Sequence, residues 1–217
     1  MSRTSLGRTA TPSAPGFPAA DGRRARRTVR GERTRRRLLE AAERVFADHG
    51  YHDASIVKIT EAAEVGQGTF YLYFRSKQEI FEELVGDLNH RVREAMAMAV
   101  AGARHRRDME RAGLIAFLDF AAEHPGLYSI ITQADQVSPR ATRKHYESIA
   151  RPYAEGLRRA MDRGEIARAD PEVLAWSLLA IGAMIGRRWV LWSSERRVPG
   201  HVIDSALDFI NRGLGIS

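Results

Sequence analysis

Gln67, Thr69, Tyr71 and Tyr73 set an amide, a hydroxyl and two phenols at alternate positions of one short stretch. A glutamine amide can pair bidentately with adenine, a threonine can meet a thymine methyl or a phosphate, and tyrosine hydroxyls suit phosphate oxygens. Gly68 lies among them. Without a side chain it lets the backbone approach a partner closely, although inside a helix it costs about 1 kcal/mol. Lys77 follows Ser76, a helix-capping residue, so that a cation stands beside free backbone amides, a common way of gripping phosphate. Ser55 and Lys58 extend the candidate set upstream. The bland alternative for the tyrosines is the rim of a small helical domain.

Other chemistry is poorly supplied. The chain has no cysteine, which excludes disulfides, thiolate nucleophiles and thiolate metal sites. Its seven histidines form no recognised metal-ligand motif. No nucleophile elbow, carboxylate dyad or phosphate-binding glycine loop is present, and the Gly66 to Gly68 pair is not preceded by a strand, as a dinucleotide site requires. An enzyme is therefore not expected, nor is a cofactor.

Charge is unevenly spread. The first 37 residues hold eleven arginines against Asp21 and Glu32, a balance of +9, which leaves −2 on the remaining 180 residues. A basic arm on a near-neutral body suits a phosphate backbone, where counterion release ties affinity to salt. A solvated leader is the alternative. Residues 1–31 read as a disordered arm, with Arg33 and Arg35 just beyond it as candidate contacts. The longest uncharged stretch of the C-terminal half, Val173 to Gly186, has 14 residues, short of the ~20 of a membrane helix. With no compact apolar leader, the expectation is a cytoplasmic protein without a membrane partner.

These groups need helices to present them. Leu38, Leu39, Ala42, Val45 and Phe46 recur at helical spacing before Gly50, which suits a left-handed stop. Ser55 caps a second helix with Ile56, Ile59 and Ala63 on one face, and Glu64-Val65-Gly66 forms a turn into a third, from Gln67 to Phe74. Two short helices joined by a tight turn make a helix-turn-helix, whose second helix fits the major groove of DNA. Phe70 and Phe74 should then face inward.

The run ITEAAEVGQGTFYLYFRSKQEI, Ile59 to Ile80, closely resembles the signature of the TetR/AcrR family of bacterial regulators, and the likeness is strong over about Thr34 to Val85. It departs at Glu64, where the family usually has Gly, and at Gly66, where it has Ser or Thr. The resemblance implies a dimeric regulator of palindromic operator DNA, with a fourth helix linking the head to a helical sensor that a small-molecule effector enters. It implies repression relieved by the effector; a ligand-independent regulator or an activator is the alternative.

The rest of the chain fits an all-α fold: a three-helix head at residues 32–76 and a ligand-binding and dimerisation domain at 77–217. A long helix starts at Lys77. Others run from about Arg107 to Glu123, Leu127 to Gln133, Ser138-Pro139 to Arg163, Pro171 to Trp192 and His201 to Leu214. Bulky or polar residues expected to converge on an apolar or amphipathic effector are Phe117, Phe120, His124, Tyr128, Tyr146, Tyr153, Trp176 and Trp189, with His145 a further polar orienter, although such residues are more often plain core. The Pro171 helix is apolar on two sides, which suits burial on both. Leu178, Ile181 and Ile185 there, with Ile203, Leu207 and Ile210 on the last helix, are the expected homodimer interface. The alternative is a monomer whose core uses both faces.

Overall fold

A computed structural model describes residues 29–216, apart from the side chains of residues 29, 30, 127, 128 and 132. The regular structure of the described residues is entirely helical: α1 Val29–Asp53, α2 Ile56–Ala62, α3 Gln67–Tyr71, α4 Lys77–Val100, α5 Arg106–Glu123, α6 Gly126–Val137, α7 Pro139–Asp162, α8 Pro171–Gly186 and α9 Gly200–Leu214. A π-helical turn, Arg187–Leu191, prolongs α8. Most of residues 1–31, the expected arm, lies outside the described residues.

Local chemistry accounts for the boundaries. Gly50 takes φ 73°, which interrupts α1 as a left-handed stop, and three further residues are wound on behind it. Ser55, Ser76, Ser138 and Asp170 each accept a backbone N–H at the start of the following helix, and Pro139 and Pro171 occupy first-turn positions. The turn after α2 puts Glu64 at φ 52°, the left-handed position that the sequence fills without glycine. Arg37 compensates: its guanidinium donates to the carbonyl of Ala63 and, at 3.3 Å, to that of Glu64. Arg44 donates to the carbonyl of Ala62 at 3.2 Å, so the exposed carbonyls ending α2 meet two cations.

The main core joins the head to the long helix. Leu38, Phe46, Ile59, Phe70 and Phe74 of the head share one buried cluster with Ile80, Phe81, Leu84 and Leu88 of α4, and it continues to Phe120 and Ile130. Phe46 meets Phe81 edge-on at 5.1 Å. Burial of each such side chain stabilises by about 1.5–3 kcal/mol. Gly126 opens α6 where an added Cβ would stand 2.7 Å from the Cβ of Ala47, so only glycine lets α6 lie this close to α1. A second cluster joins α7, α8 and α9 through Leu157, Met161, Leu178, Ile210 and Leu214. A third joins Leu118, Val190 and Val198.

With its π turn, α8 spans Pro171–Leu191, 21 residues, long and apolar enough by length and composition to cross a membrane. It packs along one side only, with 28% of its apolar window buried. Ala175, Leu178, Gly182, Gly186 and Val190 form an inward stripe, and Gly182 faces the rings and methyls of Phe117 and Leu114 on α5.

Candidate nucleic-acid interface and sensor cavity

On the head, α3 divides its side chains cleanly. Phe70 and Phe74 are buried, whereas Gln67, Gly68 and Tyr71 are exposed and Thr69 is half-buried. Tyr73 is half-buried against the head core. Leu72 is 78% exposed on the same face as the polar groups, a large apolar side chain in water beside a reading helix. Sequence reasoning missed it; its signal was an apolar residue standing off the Phe70 and Phe74 stripe. An added Cβ on Gly68 would meet nothing within 4 Å, so packing does not demand glycine there.

The expected cations behave differently. The ammonium of Lys77 donates to the carbonyls of Tyr51 at 2.6 Å, Ala54 at 2.8 Å and His52 at 3.3 Å. It therefore closes the end of α1 instead of pointing at a phosphate, because three carbonyls left by the Gly50 kink offer more than open solvent. Lys58 donates to the carbonyl of Asp53 at 3.1 Å but remains exposed, on a helix capped by Ser55. Arg35 is drawn into an ion pair with Glu83 of α4, its guanidinium 5.4 Å from the centre of the Phe74 ring. It clasps head to α4, whereas Arg33 is exposed.

Behind the head, α4, α5, α6, α7 and α8 line a half-open cavity of about 330 Å³, its wall mainly apolar, with Val92, Phe117, Ile149, Trp176 and Met184 among the residues. Its polar lining is His145, Tyr146 and Arg187. Of the expected effector residues, Phe117, Tyr146 and Trp176 line this cavity, and Tyr146 and Trp176 face each other with ring centres 6.0 Å apart. Burial raises the pKa of Tyr146, with nearby Asp135 adding to the rise and Arg187 opposing it.

The other expected residues lie elsewhere. Phe120 is in the main core. Trp189 packs on the third cluster. The hydroxyl of Tyr153 donates to Glu110, which also accepts from Arg106 Nε at 2.6 Å, so burial and the adjacent carboxylate push its pKa well up. His124 sits outside the cavity, its ring nitrogens 2.8 and 3.1 Å from Arg91 Nη2. Arg91 Nη1 is in turn 3.2 Å from Glu43 Oε2, which makes a polar seam between α1, α4 and the end of α5. The side chain of Tyr128 lies outside the described residues. His145 lines the cavity as well, with Leu179, Ala180 and Ala183 on the Trp176 side of α8, whereas Arg187 was given by neither size nor periodicity.

Nor does the structure set the expected interface residues on an outer face. Leu178, Leu207 and Ile210 are buried within the subunit, and Ile181, Ile185 and Ile203 pack half-buried on the second and third clusters. The reason is that a helix apolar all round gives no direction: the Leu178 stripe of α8 turns inward, and the single apolar stripe of α9 is consumed by its own core. The apolar residues left outside are Val173, Trp176 and Met184 of α8 and Phe209 of α9, the last 69% exposed.

Comparison with known proteins agrees with this geometry. Residues 38–84 match the family described as bacterial regulatory proteins, tetR family. Over 65 residues, 30% of the chain, it is 46% identical to the uncharacterized HTH-type transcriptional regulator YdgC of Bacillus subtilis, but this covers only 33% of that protein. It is 35% identical over 125 residues, 56% of the chain, to the HTH-type transcriptional activator FasR of Mycolicibacterium smegmatis, of which 55% is covered. The chain thus spans a third to about half the length of these two relatives. The fold superposes on the transcriptional regulator FadR of Bacillus subtilis in complex with stearoyl-CoA with a TM-score of 0.71 at 20% identity, covering 81% of this chain and 96% of that one. The family match thus covers the head and the start of α4, and the superposition shows that the described helices share the fold of that neighbour.

Proposed function

We propose that the protein is a cytoplasmic, ligand-responsive repressor that binds palindromic operator DNA as a homodimer and releases it when a small apolar or amphipathic effector enters the cavity. One observation carries this reading: a single helix, α4, is sealed into the head core by Ile80, Phe81 and Leu84 and forms the cavity wall at Val92. Eight residues, about 12 Å of helix, separate Leu84 from Val92. A shift forced on one end is delivered to the other. Gln67, Thr69 and Tyr71 supply base and phosphate contacts, and the exposed Val173 and Phe209 supply apolar surface for a second copy.

The experiment is selection of operator DNA from a random pool, followed by titration of the selected duplex. Half-sites spaced for one helical turn or a multiple, about 34 to 36 Å per turn, and a stoichiometry of two chains per palindrome are expected. A protein that enriches no sequence over bulk DNA would sink the reading. A second reading, activation, is favoured by the likeness to a protein named as an activator. In vitro transcription from a template carrying the selected operator separates the two by the sign of the response.

A further inference from the structure

His145 is the anomaly of the cavity. It is only 8% exposed, it lines the cavity, and its Nδ1 has no hydrogen-bond partner among the described residues. Its own backbone carbonyl is taken by the Ser148 hydroxyl at 2.8 Å. Burial holds its pKa down to about 4, so at neutral pH the ring is uncharged and offers one N–H and one lone pair. Nδ1 itself has no surface open to the cavity, so it is another edge of the ring that meets what the cavity receives.

The neighbours of His145 define what that is. The Tyr146 ring centre lies 5.0 Å from that of His145, and the Tyr146 hydroxyl feels the positive charge of Arg187. The three polar lining residues are therefore gathered around Tyr146 instead of scattered round the wall. Arg187 is the one cation among the described lining residues, and no carboxylate lines the cavity; Asp135, near Tyr146, is exposed on α6. A cationic head group would meet a guanidinium and no carboxylate of the wall. An anionic one would meet a guanidinium, a phenol and a neutral imidazole ring that carries one N–H. The remainder of the wall is aromatic and aliphatic. At about 330 Å³ the cavity stands at the small end of the roughly 300–1,000 Å³ of ligand pockets, which is out of scale with a long-chain acyl-CoA such as the FadR neighbour holds.

We propose that the cavity takes a compact amphipathic acid, its carboxylate held by His145, Tyr146 and Arg187 and its apolar body lying between Val92, Phe117 and Trp176. This deepens the effector reading above and rests on it. Trp176 in the wall reports occupancy directly by its fluorescence.

The test uses the full chain titrated with sodium decanoate, with decanol as the same body lacking the acid, and with stearoyl-CoA, followed by tryptophan fluorescence and calorimetry. Decanoate is expected to bind more tightly than either comparator. Arg187→Met and His145→Phe should each weaken decanoate by about ten- to a hundredfold, the loss of a hydrogen bond to a charged group, and weaken decanol much less. Arg187 is not part of a buried apolar cluster, so Arg187→Met remains informative if His145→Phe folds poorly, which the melting curve reveals. Decanol binding as tightly as decanoate, or decanoate indifferent to Arg187→Met, overturns the acid site and leaves an apolar effector cavity standing. Stearoyl-CoA binding more tightly than decanoate overturns the compact ligand. Failure of all three probes to bind overturns both the acid site and the effector reading.

Discussion

The ammonium of Lys77 donates to the carbonyl of Tyr51 at 2.6 Å and stands 4.4 Å above the centre of that residue's ring. One side chain at the start of α4 thus binds the end of α1 by hydrogen bonds and a cation–π contact together, and burial lowers its pKa, with Asp53 opposing the fall. Lys77→Met should unfold the head more readily, by about 1–3 kcal/mol in denaturant titration, since carbonyls of Tyr51 and Ala54 lose a charged donor. Operator affinity measured well below the melting temperature should change little. A variant of unaltered stability that loses DNA would return Lys77 to the phosphate-gripping role.

Gly68 separates folding from reading. An added Cβ meets no atom of the protein, and alanine is the better helix former by about 1 kcal/mol. Gly68→Ala should therefore melt at the same temperature as the parent or slightly higher, yet lose operator affinity by tenfold or more, about 1.4 kcal/mol, because the new methyl stands where the DNA backbone approaches. Phe70→Ala is the opposite control, costing about 3–5 kcal/mol of stability from the centre of the head core. Undiminished affinity in Gly68→Ala would leave the glycine without a reading role.

The sequence of the head was legible because local signals there agree. Capping serines, the Gly50 stop and the Phe70 to Phe74 spacing all point to one arrangement, and the structure reproduces it with α3 ending at Tyr71, three residues earlier than the Phe74 expected. Partner choice was not legible. Lys77 and Arg35 are cations of a basic region whose targets turned out to be carbonyls and Glu83, and nothing in composition distinguishes these from phosphates. In α8 two apolar stripes are equivalent until a fold decides which faces α5. His124 and His145 are equivalent polar candidates in the sequence, and only the fold puts His145 in the cavity wall and His124 outside it.

Acid should destabilise the fold through His145. Its pKa falls from 6.5 to about 4 on folding because the charged form is desolvated. The unfolded chain therefore binds a proton between these values that the folded chain does not, and stability is lost as pH falls from 6.5 toward 4. At about 1.4 kcal/mol per pH unit the full loss is roughly 3 kcal/mol. His145→Phe should flatten this part of the stability profile. An equal acid loss in parent and variant would show that His145 does not cause it.

The basic arm makes a prediction about salt. Residues 1–28 lie outside the described structure, but they carry six of the chain's arginines. If these touch phosphates, their deletion should lower affinity on all DNA sequences alike and reduce the slope of log affinity against log salt by about 0.9 for each phosphate no longer neutralised. An unchanged slope identifies the segment as a solvated leader.

Communication between cavity and head should pass through the seam of Glu43, Arg91 and His124. Arg91 lies one residue before Val92, which lines the cavity, and its guanidinium grips Glu43 on α1 at 3.2 Å, so a movement of α4 is imposed on the head through charged contacts as well as through the core. Tight effector binding alone would release nothing; what matters is the difference in affinity between free and DNA-bound protein. A hundredfold release corresponds to about 2.7 kcal/mol of coupling, and operator DNA must weaken the effector by the same factor. Arg91→Met should keep both binding events while reducing that factor about tenfold. Glu43→Gln should do the same, and the double variant should add little further, since the two remove one ion pair. Decanoate titrations with and without operator, for parent, single and double variants, measure this. Additive losses would show that the two residues act separately, and an undiminished coupling factor in Arg91→Met would leave the packed core of α4 as the transmitting element.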